Sequence, residues 1–265
     1  LIDEAYDRAA ELIAGAGAVL VCAGAGMGVD SGLPDFRGTE GFWRAYPPYE
    51  RLGLRFEEIA DPVHFADDPA LAWGFYGHRL NLYRATVPHE GFEVLRSWGA
   101  RAFTSNVDGQ FQKAGFTDVA EVHGSIHHAQ CVEPCTDEIW GCAFDVEVDP
   151  ESMRAVGELP SCPSCGGLAR PNILMFGDWG WVPHRSQAQL EELARWRRAQ
   201  HDLVVVEIGA GTAVPTVRRQ AELASAASGA LIRINTREPA VRHGRGVSLP
   251  VGALEALRTL ARRTA

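Results

Sequence analysis

Between Asp3 and Ala14 the apolar residues Ala5, Ala9, Leu12 and Ile13 recur at helical spacing, and Gly15 and Gly17 stop the run. The period then changes. Residues 18–22 are all apolar, the pattern of a parallel strand buried on both faces. Similar short runs return at 100–105, 119–122, 203–208, 230–234 and 247–251, the one at 203–208 interrupted only by Glu207. Helical stretches at 186–200 and 216–227 separate the later runs, and Gly252-Ala253 opens a last helix. Strands alternating with helices predict an α/β fold with a Rossmann-like parallel sheet.

Two stretches stand outside this pattern. Residues 39–90 are crowded with aromatics, among them Phe42, Trp43, Tyr46, Tyr49, Phe56, Phe65, Trp73, Phe75 and Tyr76. They read either as a satellite hydrophobic cluster under loops or as a small helical module over a ligand site. Residues 126–173 offer little core of their own. The sequence therefore predicts one domain spanning 1–265, with a Rossmann-like part at 1–38, 91–125 and 174–265. A smaller inserted lobe has its helical module at 39–90 and a metal module at 126–173. The segment 170–178 is expected to return to the main sheet.

The chemistry gathers where the predicted strands end. The first strand breaks into Gly24-Ala25-Gly26, a turn able to bring backbone N–H groups close to a pyrophosphate. Val29 stands where a third glycine would complete the dinucleotide fingerprint. Pro34-Asp35-Phe36-Arg37-Gly38 then sets an acid, an aromatic and a base directly after the loop. The second strand ends in Ser105-Asn106-Val107-Asp108, and the third runs into His123-Gly124. Ligands of open α/β sheets bind at these carboxyl ends. An imidazole there titrates near neutrality and can take a proton from a hydroxyl. Tyr76 and Arg79, three residues apart, share one helix face; they form either an exposed pair without function or a fork for a carboxylate.

Composition narrows the field. The formal net charge is −9 and 46% of the 265 residues are apolar. Acidity argues against a nucleic-acid surface, which needs a basic face, and suits a cationic partner such as a lysine-rich peptide. No signal peptide and no apolar run of about 18 residues is seen, so a cytoplasmic protein without a membrane span is expected. Four of the six cysteines form two close pairs, Cys131/Cys135 and Cys162/Cys165. In such a chain they predict one zinc ion rather than disulfides. Cys142 is the substitute if Cys135 points away. Four thiolates would fill every tetrahedral position, making the zinc structural. Cys22 reads as inert packing.

Gly24-Ala25-Gly26 with Ser31-Gly32-Leu33-Pro34-Asp35-Phe36-Arg37 resembles the signature of the sirtuins, the NAD-dependent protein lysine deacylases. Thr104-Ser105-Asn106-Val107-Asp108, His123-Gly124 and Arg170-Pro171-Asn172-Ile173-Leu174-Met175-Phe176-Gly177-Asp178 resemble three further family motifs, in the family's order. Ser105 replaces the family's glutamine and Asp178 its usual glutamate. The resemblance implies transfer of an acyl group from lysine to the ribose of NAD, giving nicotinamide and O-acyl-ADP-ribose, with NAD consumed as co-substrate. It implies His123 as general base, with Asn106 and Asp108 at the nicotinamide carboxamide. Phe36 is implied over the ribose, Arg37 near the diphosphate, and Asp35 orienting the loop. Gly209, Ala210, Gly211, Asn235 and Ala253 are implied around the adenosine. Phe176 and Gly177 are implied to pair with substrate backbone by β-augmentation. A Tyr-x-x-Arg at this place in the chain implies recognition of succinyl-, malonyl- or glutaryl-lysine by Tyr76 and Arg79. Acetyl-lysine stays open. So do mono-ADP-ribosyl transfer, NAD hydrolysis and a non-catalytic NAD sensor. Trp179-Gly180-Trp181 either walls the acyl-lysine tunnel or packs. The expected partners are acyl-lysine proteins or peptides, and a monomer is compatible with the sequence.

Overall fold

The computed structural model describes residues 1–36, 38–227 and 229–265. Arg37, expected near the diphosphate, lies outside the described residues.

The chain opens with α1 (Ile2–Ala14), β1 (Ala18–Ala23) and a 3-10 turn at Ala25–Ser31. Five helices follow: α2 (Gly38–Ala45), α3 (Pro47–Arg51), α4 (Phe56–Ile59), α5 (Val63–Asp67) and the long α6 (Pro69–Ala85). Next come α7 (Gly91–Ser97), β2 (Arg101–Thr104), α8 (Gln110–Lys113) and β3 (Val119–Glu121). Then β4 (Gly124–Cys131), β5 (Trp140–Gly141), β6 (Glu147–Asp149), β7 (Arg154–Val156) and β8 (Ala169–Ile173) form a region without helices. The chain closes with α9 (His184–Arg198), β9 (Leu203–Ile208), α10 (Thr216–Ser225), β10 (Ala230–Ile234), β11 (Gly246–Leu249) and α11 (Ala253–Thr264).

Among the described residues six strands make one parallel sheet in the order β3-β2-β1-β9-β10-β11. This is the doubly wound dinucleotide-binding order, and its direction reverses between β1 and β9. Apolar runs legible in the sequence form its centre: β9 is buried throughout, and β1 from Val19 onward. Glu207 fits into this run because it is paired. It faces Arg233 on the neighbouring strand, and the guanidinium holds both its carboxylate oxygens at 2.7 and 2.8 Å. One face of the sheet is covered by α1, α7 and α11, which contribute Tyr6, Ala9, Phe92, Leu95, Leu257 and Leu260 to one core. Leu193, Val217 and Ala221 of α9 and α10 cover the other.

The aromatic stretch builds a separate core. Phe42, Tyr46, Tyr49, Phe65, Trp73, Phe75 and Tyr76 are all buried in it. Helix α6 is its spine and packs closely on the β6–β7 hairpin, since a Cβ at Gly74 would lie 2.0 Å from the Met153 carbonyl oxygen. Asp68 caps α6 at the Leu71 N–H and holds Arg154 of β7 by two hydrogen bonds.

The expectation that 170–178 rejoins the main sheet is not met. β8 pairs antiparallel with β4, in a three-stranded sheet ordered β5-β4-β8. The chain beyond Ile173 leaves the strand conformation. The physical reason is Arg170: its guanidinium turns back to the Ile173 carbonyl and to Asp178, which closes the segment into a loop.

Candidate functional site

The two lobes of apolar packing meet over the point where the sheet order reverses, and there a cleft of about 580 Å³ opens. Its floor is backbone. The N–H of Gly24 donates to the Ile208 carbonyl and that of Gly26 to the Gly209 carbonyl, at 2.9 and 3.0 Å. A Cβ on Gly24 or Gly26 would stand 2.7 or 2.6 Å from Gly209 atoms, and Gly209 has φ +62°. These glycines therefore let two loops of the switch point touch. Two of the N–H groups that the sequence offered to a pyrophosphate are spent on that contact.

Gly24, Ala25, Gly26, Asp35, Phe36, Ser105, Asn106, Val107, Asp108, His123, Gly209, Ala210, Gly211, Tyr76, Arg79 and Phe176 all line this cleft. Gly177, Asn235 and Ala253 do not. Asn235 lies one layer behind, its amide donating to the Ala210 carbonyl at 2.9 Å. Ala253 is buried at the start of α11, where Asp30 accepts the neighbouring Leu254 N–H. Gly177 has φ +63° and follows the lining residues Leu174, Met175 and Phe176. The N–H groups of those three go to the His123 carbonyl, the Asp178 carboxylate and the Ala60 carbonyl.

Asn106 is held from two sides. Its N–H donates to Thr104 Oγ1, and its amide nitrogen donates to the Gly24 carbonyl at 2.9 Å. Asp108 accepts the Gln110 N–H at 2.9 Å. Burial pushes its carboxyl up to about 6, against the pull of that N–H and of Arg79. Burial pushes the His123 imidazole below the ordinary histidine range, opposed by a hydrogen bond to the Ser105 backbone. At neutral pH His123 is an uncharged base facing the cleft. His127 is tied to the Asp108 carbonyl.

Tyr76 and Arg79 are both buried on α6. The Arg79 guanidinium lies among the rings of Phe36, Phe56, Phe75, Tyr76 and Tyr83, with its carbon 5.2–5.9 Å from their centroids. Nε donates to Tyr83 Oη at 3.0 Å. Among the described residues no carboxylate pairs with it. Phe36 takes φ +43°, a left-handed conformation rare outside glycine, and stacks on Phe56 at 5.3 Å. Sequence reasoning missed Leu33, Phe56, Tyr83 and Met175, which also line the cleft. The available signal for Tyr83 was its place four residues after Arg79 on one helix face.

The Sγ atoms of Cys131, Cys135, Cys162 and Cys165 lie within 4.8 Å of one another. Cys131–Cys165 and Cys135–Cys162 are each 3.7 Å apart. A tetrahedral ion with Zn–S bonds of about 2.3 Å needs edges of about 3.8 Å, so these thiols fit zinc. Cys142 stands apart, its thiol on the Ile126 carbonyl. Trp179 is fully exposed and lines no part of the cleft, while Trp181 is half-buried.

A doubly wound sheet with a cleft at its switch point, beside a four-cysteine module, defines a Rossmann-type nucleotide-binding protein. Comparison with known proteins makes this narrower: the chain belongs to the Sir2 family, whose profile matches residues 24–215. NAD-dependent protein deacylase 1 of Pseudomonas aeruginosa is 33% identical over 259 residues, covering 96% of each chain. NAD-dependent protein deacylase of Thermococcus kodakarensis is 34% identical over 208 residues, covering 75% of this chain and 73% of that one. A Sir2 homologue solved with NAD superposes with a TM-score of 0.70 at 26% identity, covering 97% of this chain and 93% of that chain.

Proposed function

We propose that this protein removes acyl groups from protein lysine side chains in an NAD-dependent reaction, and that it reads acidic acyl groups such as succinyl or malonyl. The observation that carries the acyl preference is Arg79, a cation buried in the cleft wall that forms no salt bridge with a carboxylate among the described residues, Asp108 acting on it only at longer range. A buried charge needs a partner, and a guanidinium takes a carboxylate through two parallel N–H groups. Tyr76, on the same helix face, adds a phenol to the same wall.

NAD, when bound, supplies the ribose carbon that accepts the acyl oxygen as nicotinamide departs. We assign its binding to Gly24, Ala25, Gly26, Asp35, Phe36, Ser105, Asn106, Val107, Asp108, Gly209, Ala210 and Gly211, all of them cleft residues. Asn235 supports the Ala210 side from behind. Asn106 and Asp108 orient the carboxamide, and His123 takes the proton from a ribose hydroxyl. Cys131, Cys135, Cys162 and Cys165 would hold a zinc ion that ties β4 to the loop before β8, and with four thiolates it would be structural. The six parallel strands all come from 1–38, 91–125 and 174–265, which supports assigning the nucleotide lobe to those segments.

The test is mass spectrometry of one lysine peptide, acetylated in one sample and succinylated in the other. Each is incubated with NAD beside an Arg79→Met control. Faster succinyl removal that disappears in the control is expected. Equal or faster acetyl removal leaves a general deacetylase and ends the acidic reading. Nicotinamide release without acyl removal replaces deacylation by ADP-ribosyl transfer or NAD hydrolysis.

A further inference from the structure

We propose that Tyr83 is a positioning residue for acyl-group selection: its phenol fixes the plane of the Arg79 guanidinium so that the two terminal nitrogens face an incoming carboxylate. This rests on the reading of Arg79 as the acyl-carboxylate anchor.

Tyr76, Arg79 and Tyr83 lie at positions i, i+3 and i+7 of α6, and so on one face of the helix. All three are buried and all three line the cleft. An arginine side chain is long and free to rotate, and its fork is useful only when the plane is set. Here Nε donates to Tyr83 Oη at 3.0 Å, and this is the only hydrogen bond of Arg79 among the described residues. The bond uses the nitrogen nearest the chain and spares the outer pair. The ring faces around the guanidinium offer attraction without direction; Oη is the directional contact.

Tyr83 is itself held. Its carbonyl accepts the Gln110 amide at 3.1 Å, and the Gln110 N–H is bonded to Asp108. Gln110 is 1% exposed. The anchor of the acyl pocket is thereby tied through Tyr83 and Gln110 to a residue at the nicotinamide end of the cleft.

The experiment is steady-state kinetics on succinylated and acetylated forms of one peptide, for wild type, Tyr83→Phe, Arg79→Met and the double variant. Tyr83→Phe is expected to raise the succinyl KM about tenfold, with kcat and the acetyl KM changed less than about twofold. In the Arg79→Met background the second substitution is expected to do nothing more. If Arg79→Met weakens succinyl removal but Tyr83→Phe does not, the proposal falls and the acidic reading survives. If Arg79→Met leaves succinyl kinetics unchanged, the reading itself falls and takes the proposal with it. An equal loss on both peptides makes Tyr83 merely structural, which also overturns the proposal. Should the phenylalanine variant not fold, Tyr83→Met removes the same hydroxyl and is read in the same way.

Discussion

Arg170 and Asp178 form an ion pair cut off from water: the side chains are 1% and 0% exposed, and both terminal nitrogens of Arg170 bond to the carboxylate. Asp178 also accepts the N–H groups of Met175 and Gly180. One carboxylate thus folds 174–180 into the loop whose Leu174, Met175 and Phe176 wall the cleft. Removing one partner of such a pair leaves a buried charge alone.

Asp178→Ala is therefore expected to lower stability by about 3–5 kcal/mol. The check is the urea midpoint at unchanged m-value. Peptide KM should rise with it, because the wall loses its tether. Replacing both partners by apolar residues should not restore stability, since the Met175 and Gly180 N–H groups stay unpaired. A double variant as stable as wild type would show that the carboxylate does no more than neutralise Arg170.

Asp108 predicts a pH effect of opposite sign to that of an ordinary paired carboxylate. Its carboxyl is raised by burial to about 6 in the folded protein. The native state then binds more protons than the unfolded chain between about pH 4 and pH 6, so stability falls as pH rises through that window. The loss is on the order of 3 kcal/mol for a gap of about two units. Asp108→Asn should be more stable than wild type at pH 8 and nearly equal to it below pH 4. Denaturant melts at the two pH values decide this, and a constant difference between them would contradict it.

The parallel sheet was legible because its strands are buried on both faces and leave short apolar runs, as in 203–208, where only the paired Glu207 breaks the pattern. The glycine loop was legible because two backbones touch there and only glycine permits it. Strand β4 was not. Its buried positions include Ser125 and Gln130, His127 and His128 are half-exposed, and its register with β8 shifts between Ser125 and Ala129. No simple alternation survives such a bulge. The stretch between 38 and 67 was expected to be helical, but the bounds of its short helices were hidden, since its largely buried aromatic residues carry no 3.6-residue period. Tyr83 escaped because its role depends on a hydrogen bond to a neighbour, which composition and spacing do not display.

The cysteine module predicts a stoichiometry and its consequence. One zinc per chain is expected, held by Cys131, Cys135, Cys162 and Cys165. Cys135→Ser should lower zinc content and loosen β4 and β8, because Cys131 ends β4 and Cys162 and Cys165 lie just before β8. Chelation should lower the melting temperature for the same reason. Cys142→Ser should leave zinc content unchanged, as its thiol is bonded to the Ile126 carbonyl. Metal analysis of the purified variants reads all of this directly. Loss of zinc on changing Cys142 would show that the four-thiol assignment is wrong.

His123 carries the sharpest catalytic prediction. Its imidazole is pushed below the ordinary histidine range by burial, so it remains an uncharged base to lower pH than a free histidine would. The acid limb of kcat/KM should then lie below about pH 6.5. Asp108 titrates close to the same window, at about 6, and must be separated from it. Measuring the profile in Asp108→Asn does so: a limb that persists there belongs to His123. His123→Ala should reduce deacylation by about 10²–10⁴-fold, while NAD binding by calorimetry and zinc content stay as in wild type. Lost NAD binding in that variant would make His123 a structural part of the cleft. Turnover at the wild-type rate would move the base elsewhere, and Asp108, a cleft carboxyl raised to about 6, would be the next residue to change.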